Sequence, residues 1–351
     1  MRRHLALIKL YFLLPVFLLI LSGCSGSVIN NENPAASRTE SAVKSSTAHK
    51  SKDIIITMVP KSLDNPVFLD AKEEAERTGR ELGIKVEWLG SMQADSDDQE
   101  EIMESLIRRR VDGIIVSCIN PGRMKEVINK AVGLGIKVAT FDSDSPDSDR
   151  LFYCGTDNYA AGEACGEALI KAVKEKKVEK KTLNILIMTA DERSYNLNTR
   201  LQSFRNTVQQ AGLKLNVIDT LYCRDDINLA GDLLEKYMRK GADIDVFFSV
   251  GGWPLVVPTE SMTAFQAWCK SGGISIVVDT YYPIVDAARK GMAYALVGQD
   301  FKKMGDLSIR NLYGAIKEEN IPSKFIDTGL ELGDKSNYDI LLRGKKPWEI
   351  K

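Results

Sequence analysis

Histidine is nearly absent from this sequence, which has only His4 and His49 among its 351 residues. Both precede the first regular strand pattern, so the folded body is expected to contain no histidine for catalysis or metal binding. The six cysteines form no CxxC pair, which argues against a metal or thiol-redox site, and we expect no cofactor. Charges nearly balance at a formal net charge of −1, which gives no reason to expect nucleic acid as a partner.

The sequence also lacks an apolar run long enough to span a bilayer comfortably. A basic start precedes the apolar stretch Leu10 to Leu21, which Pro15 interrupts, and Leu21-Ser22-Gly23-Cys24 follows. This ending resembles the bacterial lipoprotein lipobox, which implies that residues 1–24 are a signal peptide and that Cys24 carries a lipid. Residues 25–52 are polar and predict a flexible tether. We therefore expect an extracytoplasmic body, lipid-anchored to the cell membrane.

From residue 53 onward, short apolar segments alternate with amphipathic ones, and the alternation starts again after residue 157. Such repetition predicts parallel sheets covered by helices on both faces, and an α/β fold of two doubly wound lobes. Ligands of such sheets bind beyond the carboxyl ends of the strands. Asp142 ends one apolar strand and Asp279 ends another, so both are candidate ligand contacts.

Local signals add five narrower expectations. Ser96 to Gln99 fits a capping box at a helix start, Pro254 to Lys270 predicts a helix, and Phe325 to Leu332 predicts one closing strand. The loop with Asp142, Asp144, Asp147 and Asp149 fails the spacing of a calcium loop and favours a solvated acidic segment. The five cysteines of the body are expected to be small buried hydrophobic residues and not disulfides.

Four motifs occur in an order that resembles the type I periplasmic sugar-binding proteins, the ribose-binding group in particular. They are Leu63-Asp64-Asn65-Pro66-Val67-Phe68, Phe141-Asp142, Thr156-Asp157-Asn158 with Ala161-Gly162, and Gly298-Gln299 with Met304-Gly305. The resemblance implies two lobes joined by three crossings that close on a monosaccharide. It places residues 53–156 plus 300–328 in an N-terminal lobe and residues 157–299 plus 329–351 in a C-terminal lobe, with Thr156, Asp157 and Asp300 at the hinge.

The resemblance also implies a set of sugar contacts. It assigns Asn65 as an amide, Phe68 as a stacking face, Asp142 and Asp279 as hydroxyl acceptors, Arg200 as a donor, and Gln299 as a crossing-segment amide. Sugars present rows of hydroxyls and an apolar C–H face, which planar polar side chains and an aromatic ring complement.

Each of these assignments has a plainer alternative, and the sequence departs from the ribose pattern at two places. Asn65 and Asp157 fit as helix N-caps, Arg200 as a surface cation, and Phe68 as a core residue. Ser143 stands where the ribose pattern has arginine. Gly251-Gly252-Trp253 replaces an Asn-Asp pair, and Trp253 either stacks on a pyranose or packs at a helix start.

The resemblance predicts a lipid-anchored protein, expected to be a monomer, that captures a monosaccharide and delivers it to an ABC permease. One alternative is a sugar sensor that serves a membrane kinase or chemoreceptor. Another is an enzyme that uses Asp142 and Asp279 as acid and base on a glycoside. A repressor of the same shape would need a DNA-binding module where the lipoprotein signal stands.

Overall fold

The computed structural model describes residues 54–318, 323–345 and 347. The predicted signal peptide, the lipidation of Cys24 and the tether lie outside these ranges. Within them, no helix combines the length and the apolar character that crossing a membrane requires.

The strands form two six-stranded sheets, and we call each sheet with the helices packed on it a lobe. The first sheet contains β1 (Ile55–Val59), β2 (Lys85–Trp88), β3 (Gly113–Val116), β4 (Lys137–Phe141), β5 (Tyr153–Gly155) and β11 (Phe325–Asp327). The second contains β6 (Thr182–Thr189), β7 (Lys214–Tyr222), β8 (Val246–Ser249), β9 (Ile274–Val278), β10 (Ala295–Gln299) and β12 (Leu330–Asp334).

The two sheets have the same plan, with strand orders β11-β5-β4-β3-β1-β2 and β12-β10-β9-β8-β6-β7. All neighbours are parallel except β12, which runs antiparallel to β10. The prediction of one closing strand is therefore wrong. Gly329, with φ +80°, separates β11 from β12 and lets the chain pass from the first sheet to the second.

Ten α-helices pack on the sheets within the described residues. They are α1 (Leu69–Leu82), α2 (Ser96–Arg109), α3 (Pro121–Gly133), α4 (Asn158–Glu175), α5 (Tyr195–Gln210), α6 (Ile227–Met238), α7 (Thr263–Lys270), α8 (Tyr282–Ala287), α9 (Phe301–Ile316) and α10 (Tyr338–Arg343). Helices α1, α2, α3 and α9 belong to the first lobe, and the others to the second. The predicted alternation of strands and helices is confirmed.

Two predicted helix starts are wrong. The N-cap of α2 is Asp95, whose carboxylate accepts from the backbone N–H of Asp97 and Asp98, while Gln99 donates its amide to the carbonyl of Ser117 at 2.8 Å. The helix predicted from Pro254 begins only at Thr263, after two short 3₁₀ turns. Pro258 lies between those turns, and a proline has no N–H to continue a helix.

The acidic loop after β4 is only partly solvated. Asp144 is buried, forms an ion pair with Arg150, and accepts from the backbone N–H of Ser145 at 2.8 Å. The expectation of a solvated segment is therefore wrong for Asp144, although Asp147 and Asp149 are exposed. The ion pair fixes the loop that follows Asp142, because both partners are largely removed from water.

The five cysteines of the described body carry free thiols, and all but the partly exposed Cys269 are buried. The prediction that they serve as buried hydrophobic residues is confirmed for the other four.

Glycines let one pair of helices in each lobe approach closely. A Cβ placed on Gly162 of α4 would lie 2.2 Å from the backbone oxygen of Arg200 on α5. A Cβ on Gly305 of α9 would lie 2.2 Å from the backbone oxygen of Ala71 on α1. Both distances are far below van der Waals contact, so these helix pairs require glycine at the crossing.

Gly162→Ala should lower the free energy of unfolding by about 1–3 kcal/mol, because the new methyl group must push α5 away from α4. Urea unfolding followed by circular dichroism measures this loss. Gly133→Ala is the matched control, since no atom lies within 4 Å of a Cβ at that position on α3. Equal stability of the two variants would contradict the close-approach argument.

Glu235 on α6 caps the start of α7, which lacks a side-chain cap of its own. Its carboxylate accepts from the backbone N–H of Ala264 at 2.9 Å and of Phe265 at 3.2 Å, and from the Thr263 hydroxyl at 3.1 Å. Burial alone would raise the pKa of Glu235, but these hydrogen bonds outweigh it and lower the pKa. The ionised carboxylate therefore stabilises the fold.

Glu235→Ala should lower the free energy of unfolding by about 1–2 kcal/mol at neutral pH. Because the pKa of Glu235 is lowered in the folded protein, this contribution is present above the ordinary glutamate pKa of about 4.3 and is lost as the pH falls below it. Unfolding of wild type and variant at pH 7 and pH 3 tests this. The exposed Glu163→Ala is the control, and a difference that stays constant with pH would contradict the assignment.

Candidate functional site

A cavity of about 40 Å³ lies between the two lobes, at the carboxyl ends of both sheets. The polar and aromatic side chains of its lining are Lys61, Asn65, Phe68, Asp142, Asn196, Arg200, Asp225, Trp253, Asp279, Tyr281, Gln299 and Phe301. Seven of the eight predicted ligand contacts are among them, and their binding role remains a prediction.

Asp142 directly follows β4 and is buried, with φ +56°. Its carboxylate Oδ2 accepts from the Ser117 hydroxyl at 2.6 Å, and its backbone carbonyl accepts from the Tyr153 hydroxyl at 3.0 Å. Among the described residues, the second carboxylate oxygen has no hydrogen-bond partner. The residue is thus held on the side of the first sheet, while one acceptor remains available to a ligand.

Asp279 is its counterpart in the second lobe, because it directly follows β9 and also has a positive φ, +83°. Its two carboxylate oxygens accept from the backbone N–H of Gly252 at 2.9 Å and from the Gln299 amide at 2.8 Å. Burial raises the pKa of Asp279, and the charge of Arg200 opposes that rise. Strands β4 and β9 hold the same place in the two sheets, and each is followed by an aspartate with a left-handed backbone that lines the cavity.

Arg200 on α5 is the largest fully buried side chain of the described residues, with 2% of its surface exposed. Its guanidinium donates to Asn158 Oδ1 at 2.8 Å, to the carbonyl of Val250 at 2.9 Å, and to Gln299 Oε1 at 2.5 Å. The alternative that Arg200 is a surface cation is therefore wrong. Gly162 makes this placement possible, because it lets α5 lie against α4 at Arg200.

The segment Gly251-Gly252-Trp253 packs closely at its two glycines. A Cβ on Gly251 would lie 2.5 Å from the Trp253 ring, and one on Gly252 would lie 2.2 Å from the Ile284 side chain. The backbone N–H of Gly252 donates to Asp279, and the absence of a Cβ on Gly251 leaves room for the Trp253 indole in the cavity wall. Trp253 is buried there, at the start of a short 3₁₀ turn, which agrees with the packing alternative, while its stacking on a pyranose remains a prediction.

Asn65 and Phe68 each combine a structural role with a place in the cavity. Asn65 is the N-cap of the turn Pro66–Phe68, as predicted, and its amide also donates to Asp225 Oδ1 at 3.4 Å. Phe68 is buried and makes edge-on contacts with Phe141 and Phe301, with ring centroids 6.1 and 5.7 Å apart. Phe68 is therefore a core residue, as the alternative proposed, and it also lines the cavity.

Four polar residues of the cavity were missed from the sequence, namely Lys61, Asn196, Asp225 and Tyr281. Lys61 lies in the loop after β1 and donates to Asn196 Oδ1 at 3.3 Å. Asp225 follows β7 and accepts from the Trp253 indole at 2.5 Å; burial raises its pKa, and the charge of Lys61 opposes the rise. The signal for Asp225 was its place just beyond a parallel strand, the argument that found Asp142 and Asp279.

Ser143 and the predicted hinge residues lie outside the cavity lining. Ser143 is fully buried, and its backbone carbonyl accepts from the N–H of Cys118 at 2.9 Å. Asp157 is the N-cap of α4 and Asp300 the N-cap of α9, while Thr156 is buried beside them in the chain. These three residues lie where the chain passes between the sheets, and their hinge role remains a prediction.

The third passage between the sheets, at Thr328, is bonded to the other two. Its backbone N–H donates to the carbonyl of Gly155 at 3.0 Å, and its own carbonyl accepts from Lys303 Nζ at 3.4 Å. The three passages therefore lie side by side.

The cavity combines hydrogen-bonding side chains with aromatic rings. Carboxylates, amides and a guanidinium converge with aromatic rings, which is the set that a polyol with an apolar face would use. Among the described residues, no group of histidine, cysteine, aspartate or glutamate is arranged to bind a metal ion.

Comparisons with known proteins agree with the fold. The model of the periplasmic binding protein domain matches residues 56–320. The ribose import binding protein RbsB of Bacillus subtilis (strain 168) is 26% identical over 120 residues, which are 34% of this chain and 39% of that protein. The match therefore spans well under half the length of that relative.

Two solved structures match over a much larger share. A solute-binding protein of an ABC transporter from Burkholderia graminis C4D1M, in complex with D-arabinose, is 27% identical with a TM-score of 0.74, covering 82% of this chain and 96% of that one. XylFII in complex with LytSN is 25% identical with a TM-score of 0.69, covering 81% and 99%. Together with the family match over residues 56–320, the two α/β lobes show that this chain belongs to the periplasmic binding protein family and has its type I fold.

Proposed function

We propose that the protein binds a monosaccharide between its two lobes, outside the cytoplasm, and delivers it to an ABC permease. One observation carries the proposal: Asp142 and Asp279 end equivalent strands of the two sheets and line one cavity together with Phe68 and Trp253. Two carboxylates on opposite walls accept hydrogen bonds from hydroxyls on both sides of a sugar ring, and aromatic side chains contact its C–H face.

The relatives support this substrate class. One relative is named for the import of ribose, and the Burkholderia graminis solute-binding protein is in complex with D-arabinose, so both are associated with a pentose. The departures at Ser143 and Gly251-Gly252-Trp253 leave the particular sugar open.

Ligand capture by closure of the lobes fits the connections between them. We assign residues 53–156 plus 300–328 to one lobe and residues 157–299 plus 329–351 to the other, with Thr156, Asp157 and Asp300 among the hinge residues. Short neighbouring passages bend together, so they allow the lobes to open without loss of their own packing. The predicted lipid at Cys24 would keep the protein close to a membrane partner.

A second candidate function is sensing, in which the closed form signals to a membrane receptor or kinase. The likeness to XylFII in its complex with LytSN favours this candidate, since a protein of this fold is found there with a second protein. Both functions use the same sugar site. Co-purification with a permease or with a receptor from membranes of the native host distinguishes them.

The protein as purified should carry a sugar or should bind one from a panel of monosaccharides. Native mass spectrometry measures retained ligand, and Trp fluorescence titration measures added sugar, with one saturable site at micromolar or tighter affinity expected. The absence of any sugar response would contradict the proposal. Turnover of aryl glycosides would support the enzyme alternative instead.

Asp142→Asn should weaken sugar binding about 10- to 100-fold, because hydrogen bonds to a charged acceptor contribute about 1.5–3 kcal/mol. Asparagine tolerates the left-handed backbone at this position, so the fold should be preserved. Isothermal titration calorimetry measures the affinity. Asp147→Asn, in the exposed part of the same loop, is the matched control, and an unchanged affinity of Asp142→Asn would place the site elsewhere.

A further inference from the structure

Lys61 is a buried cation for which the described residues provide no anionic partner. It lies in the loop after β1, it lines the cavity, and only 5% of its surface is exposed. Its ammonium group donates to Asn196 Oδ1 at 3.3 Å, and no carboxylate of the described residues lies within ion-pair distance of it. Two of its three N–H donors therefore have no acceptor in the part of the chain that the structure describes.

Burial of an ammonium group with too few acceptors costs free energy. Transfer of an ammonium ion out of water costs several kcal/mol unless acceptors replace its hydration, and buried lysines are accordingly paired. Arg200, the other cation of the cavity, shows the usual outcome, since three protein groups accept from its guanidinium. The difference between the two cations indicates that the acceptor for Lys61 comes with the ligand.

Asp225 is a candidate for the other end of that contact. It lies on the second lobe, whereas Lys61 lies on the first, and both line the cavity. Its Oδ1 accepts from the Trp253 indole and the Asn65 amide, while its Oδ2 has no hydrogen-bond partner among the described residues. A donor of the first lobe and a vacant acceptor of the second lobe thus line the same cavity, and they form no ion pair with each other.

We propose that Lys61 and Asp225 form a polar subsite that spans the two lobes and takes one hydroxyl group of a neutral sugar. The hydroxyl oxygen accepts from Lys61 Nζ, and its hydrogen is donated to Asp225 Oδ2. This inference rests on the proposed sugar-binding function and adds a specificity-determining pair to it.

The charge of the cavity favours a neutral ligand. The ionisable groups of its lining are the carboxylates of Asp142, Asp225 and Asp279 and the cations Lys61 and Arg200. Three negative and two positive groups leave an excess of one negative charge when all are ionised. A sugar acid or a sugar phosphate would add anionic charge to this enclosed space, which raises the cost of binding.

The subsite also links ligand binding to closure. With the lobes apart, water solvates Lys61 and Asp225 separately. Closure without ligand removes that water and leaves both groups short of a partner, whereas a bridging hydroxyl satisfies both at once. A ligand with this hydroxyl therefore favours the closed form through its differential interaction with the two states.

Lys61→Met tests the subsite, because methionine keeps most of the side-chain volume and removes the charge. The probe is whichever of D-ribose, D-xylose, D-arabinose and D-allose the wild type binds most tightly, with affinity measured by calorimetry. We expect a loss of about 10- to 100-fold, while the melting temperature of the ligand-free protein stays unchanged or rises. Lys72→Met, on the exposed face of α1, should match the wild type.

Monodeoxy analogues of the same sugar identify the hydroxyl. One analogue should bind the wild type at least tenfold more weakly than the parent sugar, and this difference should vanish in Lys61→Met/Asp225→Asn. Asparagine suits the left-handed backbone of Asp225, which has φ +63°.

The outcomes separate this inference from the function on which it rests. Parent-sugar binding that is unaffected by Lys61→Met overturns the subsite and leaves the proposed function standing. A fall in ligand-free stability that accounts for the lost affinity likewise overturns it, because it shows a structural role for Lys61. Failure of the wild type to bind any sugar overturns both.

Discussion

The burial of the Arg200 guanidinium is the constraint on which the cavity depends. An unpaired charge at that depth would be strongly destabilising, so the structure must bring acceptors to it from α4, from the end of β8 and from β10. The resulting hydrogen bonds extend through Gln299 to Asp279 on one side, and through Asn158 and Tyr153 to the backbone of Asp142 on the other. The two aspartates that face the cavity from different lobes are thereby parts of one connected network.

This network explains how two aspartates keep a left-handed backbone. Such a conformation costs non-glycine residues free energy, and it persists only where the surroundings fix it. Ser117 and Tyr153 hold Asp142, while Gly252 and Gln299 hold Asp279. Both aspartates line the cavity directly after their strands. The same local geometry in both sheets yields a site with acceptors on two walls.

Features that depend on local pattern and on the order of motifs along the chain could be predicted from the sequence. The positions of side chains that depend on packing between distant segments could not. Apolar strands ending in aspartate located Asp142 and Asp279, and the motif order predicted the fold class. Lys61 escaped notice because its burial results from the approach of the second lobe, which no local pattern encodes. Ser143 follows Asp142 in the chain, yet the turn at Asp142 directs it away from the cavity. The segment Phe325 to Leu332 was predicted as a single strand because Gly329 is the one local signal of the passage from the first sheet to the second.

The two cations of the cavity have different tasks, and hydrogen-bond satisfaction separates them. Three protein groups accept from Arg200, so the protein itself holds the guanidinium and, through it, Gln299 and the wall of the second lobe. Lys61 has one acceptor among the described residues, so we expect its contribution to change when a ligand arrives. A group that is already satisfied gives rigidity, whereas a group that awaits a partner gives selectivity, since only a ligand with the matching acceptor removes its cost. Both kinds of group line the same cavity.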